Sequence, residues 1–200
     1  SVQLGLFYAS VLCLLALLVL INFNYFTIIL ALASMPLAFT YPLMKRFTYW
    51  PQLFLGITFN YGLILGWTSI SEQLDIIPFI FYFGAIFWTL GYDTIYGYQD
   101  IQDDEIIGLK STSIKFKGTE KSFLTICYLI LIFSLLIGGY QMNFNKYYYL
   151  FLILPISHLI FYQIKLFDSK NPDNCLKIFK SNNYFGLLIL ISIFIGKNYL

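Results

Sequence analysis

Charge is scarce in this chain of 200 residues: only 11% are Asp, Glu, Lys or Arg, against about 25% in ordinary soluble domains. Hydrophobic residues make up 59% and the mean hydropathy is +0.74, which excludes a water-soluble globular domain. Histidine occurs once, as His158, and cysteine three times, as Cys13, Cys127 and Cys175. The cysteines have no metal-ligand spacing, and the first two lie in apolar runs where Cys behaves as a small hydrophobe. His158, beside Pro155 and without partner ligands, reads as a buried structural residue. The basic residues form no stripe, which excludes nucleic acid as a partner. No obligate protein partner is evident. The chain opens at Ser1 with neither Met nor a charged leader, so it reads as having no signal peptide and as missing its own beginning.

Long apolar runs fill the space that charge leaves. Seven candidate spans lie near residues 4–21, 25–43, 53–70, 76–99, 122–139, 148–166 and 183–197, each close to the roughly 20 residues that a helix needs to cross a bilayer. "NFNYF" makes a tight link between the first two, and Pro42 and Pro51 bracket a break around "LMKRFTYW". The basic residues fall on alternate connections: Lys45 and Arg46; Lys110, Lys115, Lys117 and Lys121; Lys165, Lys170, Lys177 and Lys180. By the positive-inside rule that side is cytoplasmic. The expected architecture is an all-α polytopic membrane helix bundle of about seven transmembrane helices, built from antiparallel hairpins in one domain over 1–200. Its start lies on the cytoplasmic side, so an even number of spans would precede Ser1. The tyrosines and phenylalanines partly read as rim aromatics, as in "NKYYYLF".

The little negative charge there is concentrates in "GYDTIYGYQDIQDDEIIGLKST", residues 91–112. Asp93, Tyr96, Asp100 and Asp104 are spaced 3, 4 and 4 apart, which on one continuous helix puts them on a single face with roughly 20 degrees of drift. An Asp within an apolar span faces the bundle interior or a wet cavity, so the stripe should line a cavity open to the basic side. Asp100 and Asp104, one turn apart, can aim at one cation. Carboxylates without nearby His or Cys favour Mg²⁺, which takes one or two of them, several waters and a substrate's phosphates. Asp103 and Glu105 lie off the stripe and read as a solvated face. "DIQDDEIIGLKS" fails as an EF-hand, because Glu105 stands where the turn glycine belongs, and "GLKST" fails as a P-loop.

A diphosphate would also need cations. Lys110 follows the stripe, and "YPLMKRFTYWPQ" offers Tyr41 and Lys45 at i and i+4, with Arg46 beside them. Asn60, a polar group inside the third span, faces either the cavity or a neighbouring helix.

These two stretches together resemble the UbiA superfamily of intramembrane aromatic prenyltransferases, in particular its 4-hydroxybenzoate polyprenyltransferase branch. Asp93, Tyr96, Asp100 and Asp104 fit its distal DxxYxxxDxxxD motif, and Tyr41 and Lys45 its YxxxK element. The resemblance implies a nine-helix fold with two aspartate motifs facing each other across a cavity, each helping to hold Mg²⁺ on a polyprenyl diphosphate. The proximal NDxxDxxxD motif is absent here, so it is expected upstream of Ser1, and full activity is not expected of this chain alone. The implied roles are Asp100 and Asp104 to metal, Lys45 and Lys110 to diphosphate, and Arg46 to the carboxylate of 4-hydroxybenzoate. Asp93 and Tyr96 would act on the acceptor, with Tyr41 and Asn60 lining the substrate site. The implied setting is a bacterial inner membrane, with the site facing the cytoplasm and the product destined for ubiquinone. The competing classes are a proton- or cation-coupled transporter and a related UbiA-type enzyme with another acceptor.

Overall fold

The computed structural model describes residues 2–198. Asparagine and proline set many of the helix starts. Helix α1 (Val2–Leu20) is followed by α2 (Tyr25–Thr40), whose cap Asn24 accepts from the Thr27 amide at 2.9 Å. A 3₁₀ turn (Tyr41–Leu43) leads into the short α3 (Met44–Phe47). Pro51 then opens α4 (Pro51–Asn60), and α5 (Gly62–Ser71) continues the same crossing. After α6 (Ile76–Gly97) the chain makes two short helices, α7 (Ile101–Ile107) and α8 (Thr112–Lys115). Helix α9 (Glu120–Gln141) returns, and α10 (Lys146–Ser157) starts on Asn145, whose side chain accepts from the Tyr147 amide at 2.9 Å. The last crossing out runs into a π-helical segment (His158–Lys165). Asn171 and Pro172 then start α11 (Pro172–Lys180), followed by α12 (Asn182–Asn198).

Among the described residues seven crossings, some made of two consecutive helices, are long and apolar enough to span a bilayer, as the apolar runs predict. Contacts between loops confirm that the crossings alternate. At one end Lys45 meets Asp104, and the Lys121 ammonium donates to the Lys165 carbonyl at 3.4 Å. At the other, Asn24 Nδ2 donates to the Thr68 carbonyl at 2.8 Å and the Asn145 amide to the Gly196 carbonyl at 3.2 Å. We call the first the basic end.

The core is centred on the pairing of α6 with α9, with Leu90, Ile95, Leu124, Tyr128, Leu131 and Leu135 buried between or beside them. Without a hydrophobic drive between helices in lipid, close backbone approach has to supply the packing, and small residues allow it. A Cβ on Gly84 would fall 2.6 Å from Cβ of Ser134, and one on Gly91 would fall 2.6 Å from the Tyr128 ring. Helix α1 buries none of its residues, and its outward leucines would meet lipid rather than water.

Polar links also join α6 and α9 to the last two crossings. The Tyr128 hydroxyl donates to Gln163 Oε1; Gln163 Nε2 and Trp88 Nε1 both donate to Asn182 Oδ1 at 2.8 Å. The π-helical segment is what turns Gln163 fully inward, at 0% exposure, so that α6, α9, the π segment and α12 meet through one satisfied network. His158 heads the same segment, stacked on Tyr162 with ring centroids 5.4 Å apart.

One expectation is corrected here. Residues 93–104 are not one continuous helix: α6 ends at Gly97, and α7 starts only at Ile101. The Gln99 amide bonds back to the Tyr96 carbonyl at 3.0 Å, a tight i to i−3 closure, and Asp100 takes a non-helical conformation (φ −108, ψ 12). The 3.6-residue stripe is therefore split into two pieces. Likewise, Tyr41 and Lys45 do not share one regular helix, because Pro42 places the 3₁₀ turn between them.

Replacing Gly84 by Val should destabilise the protein by about 1–3 kcal/mol through overpacking against Ser134. Gly66→Ala, where a Cβ has nothing within 4 Å, should stay within about 0.5 kcal/mol of the parent. Thermal unfolding in detergent reads both.

Candidate active site

The break after α6 creates the site rather than destroying it. Because α7 turns away from the α6 axis, Asp104 is carried across to α3, where its carboxylate meets the Lys45 ammonium at 3.4 Å. Asp104 is only 6% exposed, whereas about half of the Lys45 side chain reaches solvent. Asp93, on the last turns of α6, is part-buried and within electrostatic reach of Lys45 and of the Tyr41 phenol. Tyr41, Lys45, Asp93 and Asp104 therefore converge at the basic end of the bundle.

Main-chain bonds lock the loop after α7 to the same place. Gly108 adopts the left-handed conformation (φ 78) that ends α7, and the Leu109 amide donates to the Asp104 carbonyl at 2.9 Å. One residue on, the Lys110 amide donates to the Lys45 carbonyl at 2.9 Å. The Lys110 ammonium reaches the Phe47 carbonyl at 3.4 Å and the face of Tyr49, 5.6 Å from its centroid. Both lysines thus belong to one patch, although only Lys45 is paired with a carboxylate.

The other expected residues are placed by different contacts. Asp100 is exposed at the N-terminus of α7, and Arg46 is exposed on α3. Tyr96 turns its ring to Phe179 of α11, centroids 4.7 Å apart, and Tyr92 meets the same Phe179 at 5.7 Å. Trp88 lies against Tyr92 at 5.3 Å, so Trp88, Tyr92 and Tyr96, spaced four apart on α6, form an aromatic wall leading inward. Asn60 is engaged between helices: Nδ2 donates to Thr89 Oγ1 at 2.7 Å and to the Gly56 and Ala85 carbonyls at 2.8 and 3.2 Å. It also borders an apolar cavity of ≈ 390 Å³ lined by Leu63, Phe81, Trp88, Leu135 and Phe185. Asp103 and Glu105 are exposed, and Glu105 pairs with Lys117 at 2.7 Å, in keeping with a solvated face.

Phe179 and its helix α11 were missed in the sequence. The signal was there: Asn171 followed by Pro172 starts a helix, and Cys175, Ile178 and Phe179 place one apolar side against α6.

The profile of the UbiA prenyltransferase family matches residues 1–191. The chain belongs to that family. It is 43% identical over 184 residues to the mitochondrial 4-hydroxybenzoate polyprenyltransferase of Bos taurus, covering 92% of this chain and 49% of that protein. It is 41% identical over 180 residues to 4-hydroxybenzoate geranyltransferase 2 of Lithospermum erythrorhizon, covering 90% of this chain and 58% of the relative. The chain spans about half the length of the curated relatives it matches. Among solved structures, a digeranylgeranylglyceryl phosphate synthase superposes with a TM-score of 0.71 at 15% identity, covering 94% of this chain and 67% of that one. That likeness concerns the fold: an all-helical membrane bundle, as expected. Integral membrane placement agrees with the seven crossings.

Because Asp104 is nearly buried and Lys45 half exposed, their pair should carry a coupling energy of about 1 kcal/mol, between the values for exposed and buried pairs. A double-mutant cycle with Lys45→Met and Asp104→Asn, read by thermal unfolding, measures it; strictly additive effects would mean that the pair contributes nothing.

Proposed function

We propose that the protein transfers a polyprenyl group from a polyprenyl diphosphate to the aromatic ring of 4-hydroxybenzoate, the ring-prenylation step of ubiquinone formation. The observation that carries this reading is the meeting of Asp104 with Lys45, with the part-buried Asp93 within electrostatic reach, at one end of an apolar bundle. The relatives at about 40% identity, named for 4-hydroxybenzoate prenylation, support the choice of acceptor. We read 1–200 as the C-terminal portion of one UbiA-like transmembrane domain. The chain matches about half of the relatives' length, and we place the family's first aspartate motif outside the matched part.

The donor set suits magnesium. Mg²⁺ takes one or two carboxylates and keeps oxygen positions for water and phosphate. Asp100 and Asp104 would hold it. When bound, it would supply positive charge to the leaving diphosphate.

Each residue then has a task set by where charge develops. Lys45, freed from Asp104 as the diphosphate arrives, neutralises its oxygens, and Lys110 adds a second point charge. The allylic C–O bond breaks with its electron pair leaving on the diphosphate, so stabilisation there should dominate. The ring carbon ortho to the phenol gives the electron pair for the new C–C bond, and its proton is then lost. Asp93, part-buried on the last turns of α6, would orient the acceptor and take that proton. Arg46 would bind the benzoate carboxylate by a two-pronged contact. The wall of Trp88, Tyr92 and Tyr96 excludes water from the cationic carbon, and the apolar cavity beyond Trp88 lodges the tail.

Orientation follows from the same charges: the basic end faces the cytoplasm by the positive-inside rule, and the bacterial inner membrane is the setting we propose. Relatives named mitochondrial show that the family also works in organelles.

Membranes containing the complete protein should convert 4-hydroxybenzoate and a polyprenyl diphosphate to the prenylated acid only with Mg²⁺. Asp104→Asn, Asp93→Asn and Lys45→Met should each lower kcat/KM by roughly 10²-fold or more, while Asp103→Asn should stay within about threefold. Product with a naphthoate but none with 4-hydroxybenzoate would move the assignment to another acceptor. No product with any aromatic acceptor would overturn it.

A further inference from the structure

Gln52 is a polar side chain, 3% exposed, on the first turn of α4. Its Oε1 accepts from the Thr112 amide at 3.0 Å, across 60 residues of sequence. Thr112 is itself fully buried, and its hydroxyl lies 2.6 Å from that of Thr94 on α6. The Thr94 proton is already given to the Leu90 carbonyl at 2.6 Å, so Thr112 must be the donor of that pair. Ser113 donates to the Thr94 carbonyl at 2.8 Å, and Gly97 lets the loop approach, since a Cβ there would overlap the Ser113 hydroxyl. The start of α8 is thus pinned from two helices, two residues after Lys110 bonds through its amide to the Lys45 carbonyl.

A buried contact made only of apolar atoms would tolerate sliding; a set of directional hydrogen bonds does not. We infer that Gln52 is a positioning residue that latches the loop bearing Lys110 onto the helix pair α3–α4, so that Lys45 and Lys110 keep a fixed separation for the two ends of a diphosphate. This rests on the reading of both lysines as diphosphate ligands. It also assigns a task to the "PQ" that closes "YPLMKRFTYWPQ": Pro51 starts α4, and Gln52 ties its first turn to the loop after α7.

The test uses the complete protein in detergent or nanodiscs, with Gln52→Met removing the acceptor and Gln52→Glu keeping an oxygen at the same reach. Two quantities are read: hydrogen exchange of the segment 108–115, and KM for each substrate. In Gln52→Met the segment should exchange about tenfold faster, with α9 and α12 unchanged. KM for the prenyl diphosphate should rise about tenfold, while that for 4-hydroxybenzoate stays within about twofold. Gln52→Glu should restore most of both. Unchanged exchange in Gln52→Met would overturn the latch, as would a loosened segment with an unaltered diphosphate KM, or equal shifts for both substrates. Should Gln52→Met not fold, Gln52→Leu and Gln52→Ala remove the same acceptor and are read in the same way; if none of them folds, Gln52 supports the whole bundle and the inference fails. A parent protein that makes no prenylated product would overturn the proposed function, while the exchange measurement still judges the latch.

Discussion

A carboxylate that is almost closed off from solvent must be compensated, and in this protein the Lys45 ammonium at 3.4 Å from Asp104 does it. Everything at the basic end follows from that requirement. The ammonium belongs to a short helix between two proline-marked breaks, and the carboxylate to a short helix after the break that ends α6. Neither long crossing could bring the two together alone. The interruptions in the apolar bundle are therefore where opposite charges can meet at its edge, and an uncompensated Asp at that depth would cost several kcal/mol.

The same economy explains how few polar residues suffice. Most of the surface would be offered to lipid, and the helices hold together through glycine approaches and a small number of fully assigned hydrogen bonds. The Tyr128–Gln163–Asn182–Trp88 network ties α6 and α9 to the last two crossings, and Gln52, Thr94 and Thr112 tie α4, α6 and α8 together. The aromatic wall runs along α6 from Tyr96 to Trp88, so a reactive cationic carbon against it would have charge on one side and dry hydrocarbon on the other. That division is what the chemistry of a lipid diphosphate asks for.

Much of this was legible in the sequence because it rests on composition and on long periods. Seven apolar runs, the alternation of lysine-rich connections, and the coincidence of "YPLMKRF" with the aspartates at one end all survive small errors of boundary. The short irregularities were not legible. A 3.6-residue pattern reads straight through residues 98–100, so Asp93, Asp100 and Asp104 looked collinear, yet only Asp93 and Asp104 lie near Lys45 while Asp100 is exposed. The π turn that buries Gln163 and the partner of Gln52 depend on contacts across tens of residues, which no local window contains. Asn60 shows the same limit: its spacing allowed cavity or neighbour, and the structure gives it both.

The decisive measurement is magnetic resonance of Mn²⁺ substituted for Mg²⁺ in the complete protein with a prenyl diphosphate bound. Phosphorus hyperfine coupling to manganese should appear in the parent protein, and the amount of coupled manganese should fall when Asp100 and Asp104 are both changed to Asn, because the metal they hold is lost. Diphosphate bound without such coupling, or the same amount of coupled manganese after the double substitution, would contradict the placement of metal and diphosphate at these carboxylates.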